Sequence, residues 1–86
     1  MYGSDSPQAA FDRAVIEGDV VTARQLLASG KVISIEAIFD AARKGHVEIV
    51  RLMLADARVR HPDYYYYLII EAARHGHVEI VRLLLP

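Results

Sequence analysis

Apolar residues in this chain recur at intervals of three and four. Ile35, Ile38, Phe39 and Ala42 fall at i, i+3, i+4 and i+7, so they share one stripe of a helix. After Gly45, the apolar residues Val47, Ile49, Val50, Met53 and Leu54 mark a second, shorter helix. Nothing alternates with period two over a useful length, so strands are not expected. The start signals agree. "DSPQAAF" offers Ser6 as a cap and Pro7 at the first helical position. Ser34 is placed to cap the Ile35 helix. Pro62 precedes Asp63, which is read as the cap of a helix from about Tyr64 to Arg74. Glu48 in the first turn suits the helix dipole, and Arg51 lies three residues on.

The pattern repeats. "AARKGHVEIVRLML" (Ala41 to Leu54) and "AARHGHVEIVRLLL" (Ala72 to Leu85) differ at two of fourteen positions. "AVIEGDVVTARQLL" (Ala14 to Leu27) is a weaker third copy. Gly18, Gly45 and Gly76 stand where each first helix ends and are spaced 27 and 31 residues apart. Each copy is a helix pair too small to bury its own apolar face, and stacking the pairs solves that.

These motifs resemble the ankyrin repeat, whose core reads roughly A-A-x-x-G-H-x-E-I-V-x-L-L-L. The resemblance covers about residues 8 to 86. It implies an all-α fold, a solenoid of three stacked helix-turn-helix repeats over 7–29, 34–56 and 63–86. The family's T-P-L-H opening is missing. Phe11, Ile38 and Ile69 stand for its leucine, and Asp12, Phe39 and Ile70 stand for its histidine. The connectors "ASGKVIS" and "ADARVRHPD" are too short for full β-hairpin fingers, so compact loops are expected.

Copy one differs from the others in a way that suits an end. Asp12, Thr22 and Gln25 replace Phe39/Ile70, Ile49/Ile80 and Leu52/Leu83. Polar residues at stacking positions read as an N-terminal cap. Copy three has no such replacements, and the sequence stops at "RLLLP". Ile80, Leu83 and Leu84 are therefore read as an uncapped C-terminal face. That face is either truncated or an association surface, most simply in a two-fold homodimer.

Composition narrows the function. Of 86 residues, 53% are hydrophobic, which is high for a domain this small. The formal net charge is −1 with the signs interspersed, so no footprint for nucleic acid is visible. No apolar run approaches the roughly 20 residues a membrane helix needs. No secretory signal opens the chain and there is no cysteine, so an intracellular, cytoplasmic location is expected. His46 and His77 share a register position, which points to a structural role. His75 and His77 make only half a metal-ligand set, and no cofactor or metal is expected. The serines lack a nucleophile-elbow setting and the carboxylates form no pair by spacing, so an enzyme is not expected. Arg58, Arg60 and His61 form a small basic cluster in the longer connector.

The expected function is a non-enzymatic protein-binding module. The resemblance implies that the first helices line a concave surface. Its candidate residues are Arg13, Asp40 and Glu71, one per repeat, with Arg43, Lys44, Arg74 and His75 near the turns. Tyr64, Tyr67 and Leu68 join them. The four tyrosines Tyr64 to Tyr67 fan around a helix and cannot form one aromatic platform. Register assigns Tyr66 to the core, in the place of Ile35. The alternative reading is a self-assembling structural or engineered repeat scaffold that associates through the C-terminal face. A protein or a second copy is the expected partner, with no small-molecule substrate.

Overall fold

A computed structural model describes residues 6–30, 32, 35–56, 59 and 61–85. Its elements are α1 (Pro7–Glu17), α2 (Val20–Ser29), α3 (Ile35–Lys44), α4 (Val47–Leu54), α5 (Pro62–Arg74) and α6 (Val78–Leu84). No strand occurs among the described residues. The helices pair as α1/α2, α3/α4 and α5/α6. First helices stack on first helices (α1, α3, α5) and second on second (α2, α4, α6). The result is a two-layer stack of 43 × 23 × 19 Å. A long axis about twice the others is what stacking of units in one dimension produces.

Local chemistry explains where the helices begin and end. Ser6 caps α1, its Oγ accepting from the Ala9 amide at 3.1 Å, with Pro7 in the first turn. Gly18, Gly45 and Gly76 all have positive φ, near +80°. Glu48 and Arg51 form the expected exposed pair at 3.2 Å. The start of α5 differs from the expectation. Asp63 does not cap it. Pro62 begins the helix, and the His61 ring nitrogen Nδ1 accepts from the Asp63 amide at 3.2 Å. Proline at the first position fixes the helical φ one residue earlier than a cap at Asp63 would allow. Ser34, Arg58 and Arg60 lie outside the described residues.

One continuous core runs the length of the stack. Phe11, Ile38, Ile49, Leu68 and Ile80 are its largest fully buried side chains. Val32 and Val59, both in connectors, are buried too and fasten those loops to the core.

Asp19 caps α2. Its carboxylate accepts from the Thr22 hydroxyl at 2.7 Å and the Thr22 amide at 3.1 Å. These two bonds, the hydroxyl's first, hold the carboxyl below its ordinary value of 3.8. A depressed folded-state value means the capping contribution is full above about pH 4 and fades as pH falls through that value. Urea midpoints of the wild type and Asp19→Ala should therefore differ most near neutral pH. The gap should narrow as pH falls below the ordinary carboxyl value of 3.8; a constant gap would show that charge has no part in the cap.

Candidate binding surface

The row α1, α3, α5 carries the residues singled out for partner contact. Arg13, Asp40 and Glu71 occupy one register position, each directly before a buried alanine (Ala14, Ala41 and Ala72). Asp40 is paired with Arg43 one turn on. Glu71 repeats the arrangement with Arg74 at 3.4 Å. Each carboxylate is thus paired with an arginine one turn on, and the shared position reads basic, acidic, acidic along the row. Lys44 and His75 are exposed at the ends of α3 and α5. The His75 ring nitrogen Nδ1 lies 3.0 Å from the Glu71 carbonyl oxygen, and the ring stacks on His77 with centroids 6.4 Å apart. Tyr64 is half-buried, edge-on to Phe39 at 6.5 Å and 5.5 Å from His61. Tyr67 is exposed and rests against Tyr66 at 5.6 Å.

Three candidates do not belong to any surface, and one tyrosine is misplaced. Leu68 is fully buried, so it is not a partner contact. Tyr66, assigned to the core, is 63% exposed. The inward tyrosine is Tyr65, which packs on the core with Ile69. Tyr65, Leu68, Ile69 and Ala72 form the actual i, i+3, i+4, i+7 stripe. The assumed stripe copied that of α3, which has neighbours on both sides. α5 has only α3 beside it among the first helices, and its buried stripe turns that way. Ile80 and Leu84 are buried as well, at 0% and 4% exposure, on a helix packed against α5 and α4. They are not an open C-terminal face. Leu83 stays half-buried.

The two repeated histidines lie at the joints between helix pairs. His46 begins α4, and its Nε2 lies 3.1 Å from the carbonyl oxygen of Ile16 in the preceding pair. His77 begins α6 and makes the same contact, 2.8 Å to the Arg43 carbonyl. With Nε2 donating, each ring satisfies a carbonyl at the end of a first helix, where intrahelical donors run out. The rings lie over glycine. A Cβ on Gly18 would come within 2.9 Å of the His46 ring, and one on Gly45 within 2.7 Å of His77. Glycine is therefore required twice over, for its positive φ and for the space above it. The sequence signal was present: glycine in one copy and histidine in the next always travel together.

A family model describing ankyrin repeats in three copies matches residues 10–86. The chain belongs to the ankyrin repeat family. Comparisons with curated proteins and with solved structures returned no significant match. Ankyrin repeats are in general protein–protein interaction modules and a generally non-enzymatic fold. No helix among the described residues is long and apolar enough to cross a membrane.

The ankyrin register shows where the open face of this domain is. Phe11 and Ile38 are fully buried, but their counterpart Ile69 is only half-buried. Val15 and Ala42 are fully buried, but Ala73 is exposed. Ala23 and Val50 are fully buried, but Val81 is half-buried. Val78 and Leu85 are 58% and 52% exposed. Ala73, Val78 and Leu85 are therefore the bare apolar positions of the last repeat, and Ile69 and Val81, though packed on the core, are less covered than their counterparts. Identical residues in successive copies are buried or bare according to what lies beside them.

Proposed function

We propose that this ankyrin repeat domain binds a protein partner along the row of first helices. The observation that supports the reading is the register position of Arg13, Asp40 and Glu71. The alanine after each is buried and unvaried, while the position itself changes between basic and acidic. A packing constraint holds one position fixed, and the neighbouring position is left to carry recognition. The partner chemistry that fits is a segment of mixed charge, with an acidic group opposite Arg13 and polar groups that can share the Asp40–Arg43 and Glu71–Arg74 pairs. Such contacts give register and on-rate more than affinity. The exposed Tyr67 supplies an amphipathic contact at the same row's far end.

A photo-reactive residue placed at position 13, 40 or 71 should crosslink a discrete partner in a cell extract. The same residue at position 48 or 82, on second helices, should not. Crosslinking from the second helices alone would move the recognition surface to the other layer. Asp40→Arg with Glu71→Arg should weaken the crosslink at position 13 by more than about tenfold while leaving helicity unchanged.

A further inference from the structure

The position just before the glycine that ends each first helix changes its charge from copy to copy. It is Glu17 before Gly18, Lys44 before Gly45 and His75 before Gly76, and all three side chains are exposed. The fold joins the last two. His77 Nε2 donates to the Arg43 carbonyl at 2.8 Å, and that carbonyl belongs to the peptide linking Arg43 to Lys44. The His75 ring lies parallel to the His77 ring, with 8° between the planes and centroids 6.4 Å apart. His75 thus stands one imidazole away from Lys44, at the turn end of the row of first helices.

His75 is fixed in a way that makes its outer nitrogen switchable. Its Nδ1 lies 3.0 Å from the Glu71 carbonyl oxygen, one turn back. A carbonyl only accepts, so Nδ1 carries the hydrogen. In the neutral ring Nε2 can then only accept, and in the charged ring it donates. The anchor is the same in both states, so opposite chemistry is presented at one place. An imidazole passes between these states within about pH 5–8. The charged groups around it are few. On its own helix Arg74 is paired with Glu71. On α3, Arg43 is paired with Asp40, and Lys44 forms no ion pair among the described residues. On α6 stand His77 and, in the first turn, Glu79. The carboxylates of the row are engaged with their own arginines, which leaves its turn end with Lys44 and, once charged, His75.

We propose that this corner docks a carboxylate of the partner, held by Lys44 at any pH and by His75 only when its imidazole is charged. The inference rests on the row of first helices being the recognition surface, and it adds the ligand chemistry and a pH dependence. Glu17 repels a carboxylate at the same position of the first repeat, so the site belongs to α3 and α5 alone.

The probe is a peptide of six glutamates, with six glutamines as the uncharged control, titrated into the labelled chain at low ionic strength and followed by amide NMR shifts. The glutamates stay ionised at both test values, about pH 5.5 and 7.5. The shifts should centre on Lys44 and His75, and binding should be about two- to fivefold tighter at the lower pH, the effect of one exposed charge. His75→Gln should bind equally at both values, as weakly as the wild type at pH 7.5. His75→Lys should bind equally at both, as tightly as the wild type at pH 5.5. His61→Gln, at the other end of α5, should keep the wild-type dependence. Binding that ignores pH overturns the proposal. So does a pH dependence that survives in His75→Gln, or shifts centred on Arg24, Arg51 and Arg82 of the second helices. The two readings fail separately. A crosslink from position 13, 40 or 71 beside pH-independent peptide binding overturns the carboxylate site and keeps the row. Peptide binding that follows His75, with no crosslink from the row, keeps the site and overturns the row.

Discussion

Leu68→Ala is expected to lower the unfolding free energy by about 2–5 kcal/mol, and Tyr66→Ala by less than ~1 kcal/mol. Leu68 is fully buried on α5, which packs against α3 and α6, whereas Tyr66 is 63% exposed with its ring edge-on to Tyr67. The truncation at Leu68 removes three heavy atoms from a site closed on all sides, so transfer and cavity costs add. A domain of this length has only about 4–13 kcal/mol of stability in total, so the variant should melt far below the wild type. Tyr66→Ala removes a larger side chain from water. Urea unfolding followed by helical circular dichroism gives both values. The comparison tests the rotation of α5. Positions 66 and 68 are two residues, hence about 200°, apart on a helix, and cannot both face α3. A costly Tyr66→Ala beside a mild Leu68→Ala would require α5 to turn by half a revolution.

The same pair shows what was legible in the sequence. Helix existence, the glycine ends, the Ser6 cap and the family all follow from short-range chemistry that the chain states outright. The repeat motif also gives the average environment of each register position. It does not give the environment at an end, because burial there depends on whether a neighbour exists. Ile80 and Leu84 look like Ile49 and Met53, and like them they are buried, since they face back along the stack. Val81 looks like Val50 and is not buried as deeply, since it faces forward. Direction along the stack is a property of three-dimensional packing, and apolar identity alone cannot carry it. The polar residues of copy one were readable because they break the pattern: Thr22 is half-buried where Ile49 and Ile80 are fully buried. On the row of first helices, the shared register of Arg13, Asp40 and Glu71 was legible, because the position before a buried alanine keeps its place in every copy.

Gly45→Ala is expected to be the more damaging of two substitutions that look alike from the backbone. Gly45 and Gly76 have φ of +80° and +76°, so alanine at either meets the left-handed penalty of roughly 1–2 kcal/mol. At Gly76 that is the whole cost, since the space beyond is open. At Gly45 the new Cβ would lie 2.7 Å from two atoms of the His77 ring. The ring must move, and its contact with the Arg43 carbonyl is lost with it. The carbonyl and the ring nitrogen then lose their shared bond at an exposed joint between helix pairs, adding about 0.5–1.5 kcal/mol. Thermal unfolding should therefore place Gly45→Ala well below Gly76→Ala. His77→Ala supplies the decisive comparison. With the imidazole removed, the collision at Gly45 disappears, so Gly45→Ala made in that background should cost only what Gly76→Ala costs. If Gly45→Ala is as harmful without the ring as with it, the histidine does not seat on the glycine. The joint would then be held by the apolar residues alone.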